Sequence, residues 1–286
     1  MSLRALAPAK INRELRVGRR RGDGYHEVFS RIVSVDLADL LIVERSPGLE
    51  FSCGDPAVPG GSENLVVRAA ERLARHARIE PAARIRLEKR VPMGGGLGGG
   101  SADAAVALRL LSRLWDLDPT EGELAEIAAS LGSDVPFFLA GGQADVGGRG
   151  EIVTPVADAP PTRLLLFVPP FAIPTAGVYR RYAGRGRLPE SLAIDRTGWN
   201  HFLGPNDLTP AVLEMEPGME AYLESAAAIT PDHAISGSGA TIVLHDAGPD
   251  AERRLAERHP EARFYHCQTL TRDQYRRQTS PTGGVT

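Results

Sequence analysis

The chain has 286 residues, a hydrophobic content of 42% and a formal net charge of −3. That length is enough for one large core or two moderate ones, and the slightly acidic balance excludes a general nucleic-acid binder, whose footprint is a basic excess. No apolar run reaches bilayer-spanning length, Met1-Ser2-Leu3-Arg4-Ala5 lacks the apolar core of a signal peptide, and Cys53 and Cys267 are too few for a disulfide framework or zinc site, so a cytoplasmic protein with ordinary thiols and no membrane partner is expected.

In chain order, Leu15 and Val17, then Val33, Val35, Leu37, Leu41 and Val43, alternate with other residues as half-buried strands do. Lys10 and Asn12 lie two apart on the first of these runs and so face one side. Arg13 shares the parity of Ile11 and Leu15, so a straight strand would aim its guanidinium at a buried face. A bulge or a nearby acid must answer it. Ser62 to Arg75 reads as a helix with Leu65, Ala69 and Leu73 on one face, and Ile85 with Leu87 marks the next strand.

That strand feeds Pro92-Met93-Gly94-Gly95-Gly96-Leu97-Gly98-Gly99-Gly100-Ser101-Ala102-Asp103-Ala104-Ala105, almost bare backbone leading into a helix with Ala105, Leu108, Leu111 and Trp115 on one face. Ser101 is expected as the N-cap, with Asp103 in the first turn. Glycines can turn consecutive N–H groups toward one anion, and a helix N-terminus favours phosphate. A flexible linker would also be glycine-rich, but linkers are unpatterned, whereas this loop joins two periodic elements. Gly94, Gly96 and Gly99 satisfy G-x-G-x-x-G, but Asp118 at dinucleotide spacing precedes Pro119 in a helix-ending turn. No Gly-Lys-Ser/Thr of a Walker A loop follows the glycines.

Further along, Thr120-Glu121-Gly122-Glu123 forms a capping box, Leu124, Ile127, Ala128 and Leu131 an apolar stripe, and Gly132 a stop. Asp134, before Val135-Pro136-Phe137, starts a further helix, whose field favours the ionised carboxylate. Ala157-Asp158-Ala159-Pro160-Pro161 is the expected boundary between units 1–158 and 159–286. Leu164-Leu165-Leu166-Phe167-Val168 then reads as a buried strand, Tyr179 as part of a short helix, and Ile235 and Thr241-Ile242-Val243-Leu244 as strands. Ala251 to Arg258 reads as a helix and Arg263 to Leu270 as a last strand, giving an α+β order. The tail from Ser280 to Thr286 is expected to fray.

Phosphoryl transfer demands positioning and charge neutralisation, which Lys10, Asn12 and Asp134 can provide; the plain alternative makes Asp134 a helix cap and Lys10 an exposed cation. Tyr25-His26 in a glycine turn can stack on a base and hydrogen-bond its edge. Arg19-Arg20-Arg21 just before it reads as a solvated turn, with attraction of a polyphosphate as the alternative.

Together these residues resemble the GHMP kinases. Pro92 through Ala105 resembles the second motif of that superfamily. Pro8-Ala9-Lys10-Ile11-Asn12 and Asp23-Gly24-Tyr25-His26 resemble the N-terminal signature of a branch whose alcohol substrate carries a cytidine diphosphate group. Gly132-Ser133-Asp134-Val135-Pro136-Phe137-Phe138, Ile173-Pro174-Thr175, Asn206-Asp207 and Ser236-Gly237-Ser238-Gly239-Ala240 extend the resemblance over nearly the whole chain. It implies a two-domain α+β fold, N-terminally like ribosomal protein S5 domain 2 and C-terminally a ferredoxin-like α/β plait. The implied activity is ATP-dependent phosphorylation of the 2-hydroxyl of a cytidine diphosphate sugar alcohol in non-mevalonate isoprenoid synthesis, by a monomer or homodimer.

Carried over residue by residue, the resemblance makes Lys10 and Asp134 catalytic. It assigns Asn12, Tyr25, His26, Thr175 and Tyr179 to the substrate, with Tyr25 and Tyr179 on opposite faces of the base. Asn64 and Lys89 lie near adenine and ribose, although Asn64 could instead cap a helix and Lys89 be a strand-edge charge. Pro92, Gly94, Gly95, Gly96, Leu97, Gly98, Gly99, Gly100, Ser101 and Ala102, with Gly237, Ser238 and Gly239 of a third motif, hold the phosphates. Mg2+ accompanies ATP, with no metal ligand assigned. Arg13-Glu14 stands where the family is apolar, and Ala102 replaces a common serine. A kinase of homoserine or mevalonate type, or a non-catalytic nucleotide-binding regulator, are the competing readings.

Overall fold

A computed structural model describes residues 2–183 and 202–283. The first part runs β1 (Ser2–Arg20), β2 (His26–Glu44), β3 (Leu49–Cys53), α1 (Leu65–Ala77), β4 (Ala83–Glu88), α2 (Gly99–Leu114), α3 (Glu121–Leu131), α4 (Val135–Ala140), β5 (Gln143–Gly147) and β6 (Ile152–Pro155). The second runs β7 (Arg163–Val168), α5 (Thr175–Ala183), α6 (Thr209–Met215), α7 (Met219–Ala227), β8 (His233–Ile235), β9 (Ile242–His245), α8 (Ala251–Arg258), β10 (Arg263–Gln268) and α9 (Arg272–Thr279).

The long strand β2 organises the first sheet. It pairs with β1 along most of its length, with β4 over Leu40–Glu44 and with β5 over Ser30–Val33, giving the path β3-β4-β2-β5-β6 with β1 alongside. The β1 register shifts between Pro8 and Lys10 and again between Asn12 and Glu14. The second shift is the bulge that Arg13 required. It leaves the guanidinium half-buried, 4.0 Å from the Phe202 ring centroid, with Nε donating to the Phe202 carbonyl and Nη1 to Gln143 Oε1.

Helix α1 begins after Asn64, whose Oδ1 accepts from the Val66 N–H, so it starts later than the expected Ser62. Helix α2 is buried on nearly every side, not along one stripe, because Ala102, Ala104, Ala105 and Ala107 let neighbouring elements approach closely. Its N-cap is Gly98 in the left-handed region, which displaces Ser101 from the expected cap into the first turn. Trp115 is the C-cap, and Asp103 lies beyond the first turn. The Thr120 capping box of α3 forms as expected, and Gly132 ends the helix in extended backbone.

In the second part, strands β7–β10 form an antiparallel sheet of order β10-β7-β9-β8, with helices between β7 and β8 and between β9 and β10. This is the βαββαβ plait. A core of Val178, Val212, Tyr222, Ile242 and Leu255 fills one side and also takes in Leu15, Val17 and Val28 from β1 and β2. Between the sheets, Ala9, Ile11, Val33 and Val35 pack with Leu164, Leu166, Val243 and Cys267, so the two sheets share an apolar seam.

Helix α9 is an addition to the expected elements. It carries its own capping box at Thr271 and Gln274, returns to the first part of the chain, and inserts Tyr275 fully into that core. The described part of the tail is likewise held at Thr282, where fraying was expected: Arg4 and Thr282 exchange backbone hydrogen bonds at 2.8 and 2.9 Å. The last three residues lie outside those described. Among the described residues no helix is long and apolar enough to cross a membrane.

Candidate active site

The glycine stretch occupies the turn between β4 and α2, and other elements pin its carbonyls. Leu97 O accepts from Lys10 N at 3.0 Å, Gly95 O from Thr241 N at 3.3 Å, and Gly96 O from the Ser236 hydroxyl at 3.0 Å. The close approach explains two glycines. A Cβ on Gly96 would lie 2.0 Å from Ser236 O, and one on Gly98 would lie 2.8 Å from the Phe138 ring and 3.1 Å from Lys10 Cε. Both also have positive φ, 73° and 70°. With these carbonyls engaged elsewhere, the first-turn amides of α2, which have no intrahelical acceptor, present a site for an anion.

Lys10 lies against this cradle. It is 3% exposed, yet its Nζ has two polar neighbours: Asn12 Oδ1 at 2.5 Å and Asp134 Oδ2 at 3.7 Å. Asn12 Nδ2 donates in turn to Ser30 Oγ at 2.7 Å, which orients the amide so that its oxygen faces the ammonium. Asp134 precedes α4 without capping it; its side chain is 40% exposed and turns toward the cavity. A buried cation is therefore set beside a carboxylate that a substrate can reach.

The third-motif turn closes the other side, with Thr175 Oγ1 and Ser238 Oγ 2.8 Å apart. Asn206 Nδ2 donates to the carbonyls of Ile235 and Gly237, which fixes the turn to the start of α6. A single cavity of about 1090 Å³ runs between these walls. Lys10, Asn12, Tyr25, His26, Asn64, Lys89, Pro92, Gly94 to Ser101, Asp134, Thr175, Tyr179, Gly237 and Ser238 all line it. Ala102 and Gly239 do not. The Ala102 side chain packs in the core and its N–H donates to Gly98 O, while the Gly239 N–H donates to Ser236 O.

At the far end, Tyr25 is 51% exposed with the Arg149 guanidinium 5.0 Å over its ring. His26 is buried and shares a hydrogen bond between Nδ1 and Gly18 O at 3.2 Å. Its ring lies 5.9 Å from that of Tyr179 at 30°. Burial, with Asp134 adding to it, raises the Tyr179 phenol far above its ordinary value, so the ring presents a neutral face.

The arginine cluster divides. Arg21 pairs with Asp23 at 3.1 Å and Glu27 at 2.7 Å, as a solvated turn would, whereas Arg20 lines the cavity. Sequence reasoning passes over Arg149, whose one signal is its place in the turn Gly147-Gly148-Arg149-Gly150. Lys89 is no strand-edge charge: its side chain is 8% exposed and pairs with Asp39 at 2.5 Å and Asp103 at 3.0 Å.

The fold and the cradle define a GHMP-type small-molecule kinase, and a model of the GHMP kinases N terminal domain matches residues 64–142. The chain is 40% identical over 254 residues to a 4-diphosphocytidyl-2-C-methyl-D-erythritol kinase of Salinibacter ruber, covering 85% of this chain and 89% of that one. It is 39% identical over 274 residues to the kinase of the same name from Pelotomaculum thermopropionicum, covering 91% and 94%. A crystal structure of a 4-(cytidine 5'-diphospho)-2C-methyl-D-erythritol kinase superposes with a TM-score of 0.74 at 34% identity, over 93% of this chain and 98% of that one. A mevalonate kinase structure shares the fold, with a TM-score of 0.67 at 11% identity over 95% and 99%. The chain belongs to the 4-diphosphocytidyl-2-C-methyl-D-erythritol kinase family of the GHMP kinases.

Proposed function

We propose that this protein transfers the γ-phosphoryl group of ATP to the 2-hydroxyl of 4-diphosphocytidyl-2-C-methyl-D-erythritol. The observation that carries the proposal is the continuity of one cavity, from the glycine cradle past Lys10 and Asp134 to Tyr25 and His26. ATP phosphates seat on the amides of Gly94 to Ser101, with Gly237 and Ser238 facing them. The cytosine stacks between Tyr25 and Tyr179 while His26 hydrogen-bonds its edge, and Asn12 and Thr175 face the linking groups. The acceptor hydroxyl then lies between Asp134, which accepts its hydrogen bond, and Lys10, which stabilises the transferring phosphoryl charge.

The bond between hydroxyl oxygen and Pγ forms as the bond from Pγ to the bridging oxygen breaks. ADP leaves, and the hydroxyl proton passes to Asp134 or solvent. Such a loose transition state asks for alignment and charge more than for a strong base. Mg2+ needs only one or two protein oxygens besides the phosphates. The cavity offers Asp134 and the Ser101 hydroxyl, and no group of three or more metal-binding side chains occurs among the described residues, so an ion carried in on ATP fits. Ser101 would hold it, and it would neutralise charge on the phosphates.

We also propose a cytoplasmic location and units of 1–158 and 159–286, with α9 packing back on the first. Incubating the pure protein with labelled ATP, Mg2+ and a panel of alcohols tests the function. Label should enter the cytidine diphosphate sugar alcohol and not homoserine or mevalonate. ATP binding without any labelled product would select a non-catalytic regulator instead.

A further inference from the structure

The glycine cradle has almost no side chains with which to hold its own shape, so its shape must be imposed at its ends. Asp39 of β2 is fully buried, and its Oδ1 accepts from the backbone N–H groups of Arg90 and Val91, at 2.5 and 2.9 Å, where the chain enters the cradle. Its Oδ2 takes the Lys89 ammonium at 2.5 Å. The same ammonium reaches Asp103 Oδ2 at 3.0 Å, on α2 where the chain leaves the cradle. Lys89 Nζ also sits 3.1 Å from where a Cβ on Gly99 would be, so the ammonium lies against the first residue of the helix.

We propose that Asp39, Lys89 and Asp103 are positioning residues that clamp the two ends of the cradle to β2, and thereby set the spacing of the amides that meet the ATP phosphates. This rests on the reading of the cradle as the ATP phosphate site. Lys89 and Asp103 line the cavity, whereas Asp39, which bonds the backbone N–H groups of Arg90 and Val91, does not, so Asp39 acts on the cradle through the backbone.

The charges are consistent with a clamp that stays closed at neutral pH. Burial alone would lower the Lys89 ammonium, but Asp103 and Asp39 together lift it above its ordinary value, so it remains a cation. Burial pushes the Asp103 carboxyl well above the usual range, Lys89 pulling it back and Asp39 adding to the rise.

The test compares Asp39→Leu with the parent enzyme. Expected is a fall in kcat/KM for ATP of about 100-fold, the scale of a displacement near 1 Å in a reacting geometry. Calorimetric affinity for CDP, which binds at the aromatic end, should be unchanged. Should Asp39→Leu not fold, Asp39→Asn keeps the acceptor for Arg90 and Val91 while weakening the hold on Lys89, and a smaller loss for ATP alone is expected. An unchanged kcat/KM for ATP in a folded variant overturns the clamp, as does a parallel loss of CDP affinity, which would mark general damage. Failure of the parent enzyme to bind ATP at all would instead overturn the reading of the cradle.

Discussion

Replacing Asp134 by Asn separates the catalytic role proposed for its carboxylate from any structural one. At 3.7 Å from Lys10 Nζ, the charge pair is worth about 4–5 kcal/mol at an effective dielectric near 20. Because the Asp134 side chain is 40% exposed, solvent screening reduces its net contribution to folding to about 1 kcal/mol. The substituted amide keeps the size of the carboxylate and its position before α4, so the melting temperature should fall by only a few degrees, on the order of that 1 kcal/mol. The rate should respond far more. An amide neither accepts the proton nor offsets the Lys10 charge, and loss of a positioned acid–base group costs about 10²–10⁴ in kcat, or roughly 3–5 kcal/mol in the barrier. A coupled ADP-release assay at saturating ATP and acceptor, run beside a thermal melt, reads both quantities. If Asp134→Asn keeps kcat within about tenfold of the parent, the assignment of Asp134 is refuted whatever the melt shows.

Gly96→Ala places a Cβ 2.0 Å from Ser236 O at a φ of 73°. It should cost about 1–3 kcal/mol in chemical unfolding, and ATP titration should show weakened binding in whatever fraction folds. Tyr25→Ala removes a half-exposed ring with little packing, so stability should hold. KM for the cytidine substrate should rise by the equivalent of about 1–3 kcal/mol of base stacking, with KM for ATP unchanged in the same steady-state assay. Burial keeps the His259 imidazole below its ordinary value, and Ser225 Oγ lies 2.9 Å from its Nε2. The folded state therefore prefers neutral His259, whose contribution is complete above the unfolded value of about 6.5 and is lost as pH falls toward the depressed folded value. Melting temperatures between about pH 7 and 5 should fall more steeply for the parent than for His259→Gln.

Features set by neighbours in the chain are legible in the amino-acid order itself. The capping box at Thr120, the glycine run leading into α2, the parity of Lys10 and Asn12, and the exposed aromatic before His26 each depend on a few consecutive residues, and each holds its place in the fold. The odd Arg13 can be read as needing a bulge, but not which partners it meets. Phe202 and Gln143 lie far along the chain, and only the pairing of β1 with β2 and the approach of the second sheet bring them there.

Composition and local pattern determined that this chain holds a glycine-rich turn between a strand and a helix, with a lysine, a carboxylate and an aromatic turn elsewhere in the first part, because glycine dihedrals, caps and strand parity are short-range properties of the backbone. Tertiary structure alone decided that Lys89 pairs with both Asp39 and Asp103, that Ser101 lies inside α2 and not at its cap, that Arg149 covers Tyr25, and that α9 returns to the first core. Each of these rests on burial and charge pairing between residues distant in sequence, and such pairs exist only once the sheets have closed on one another.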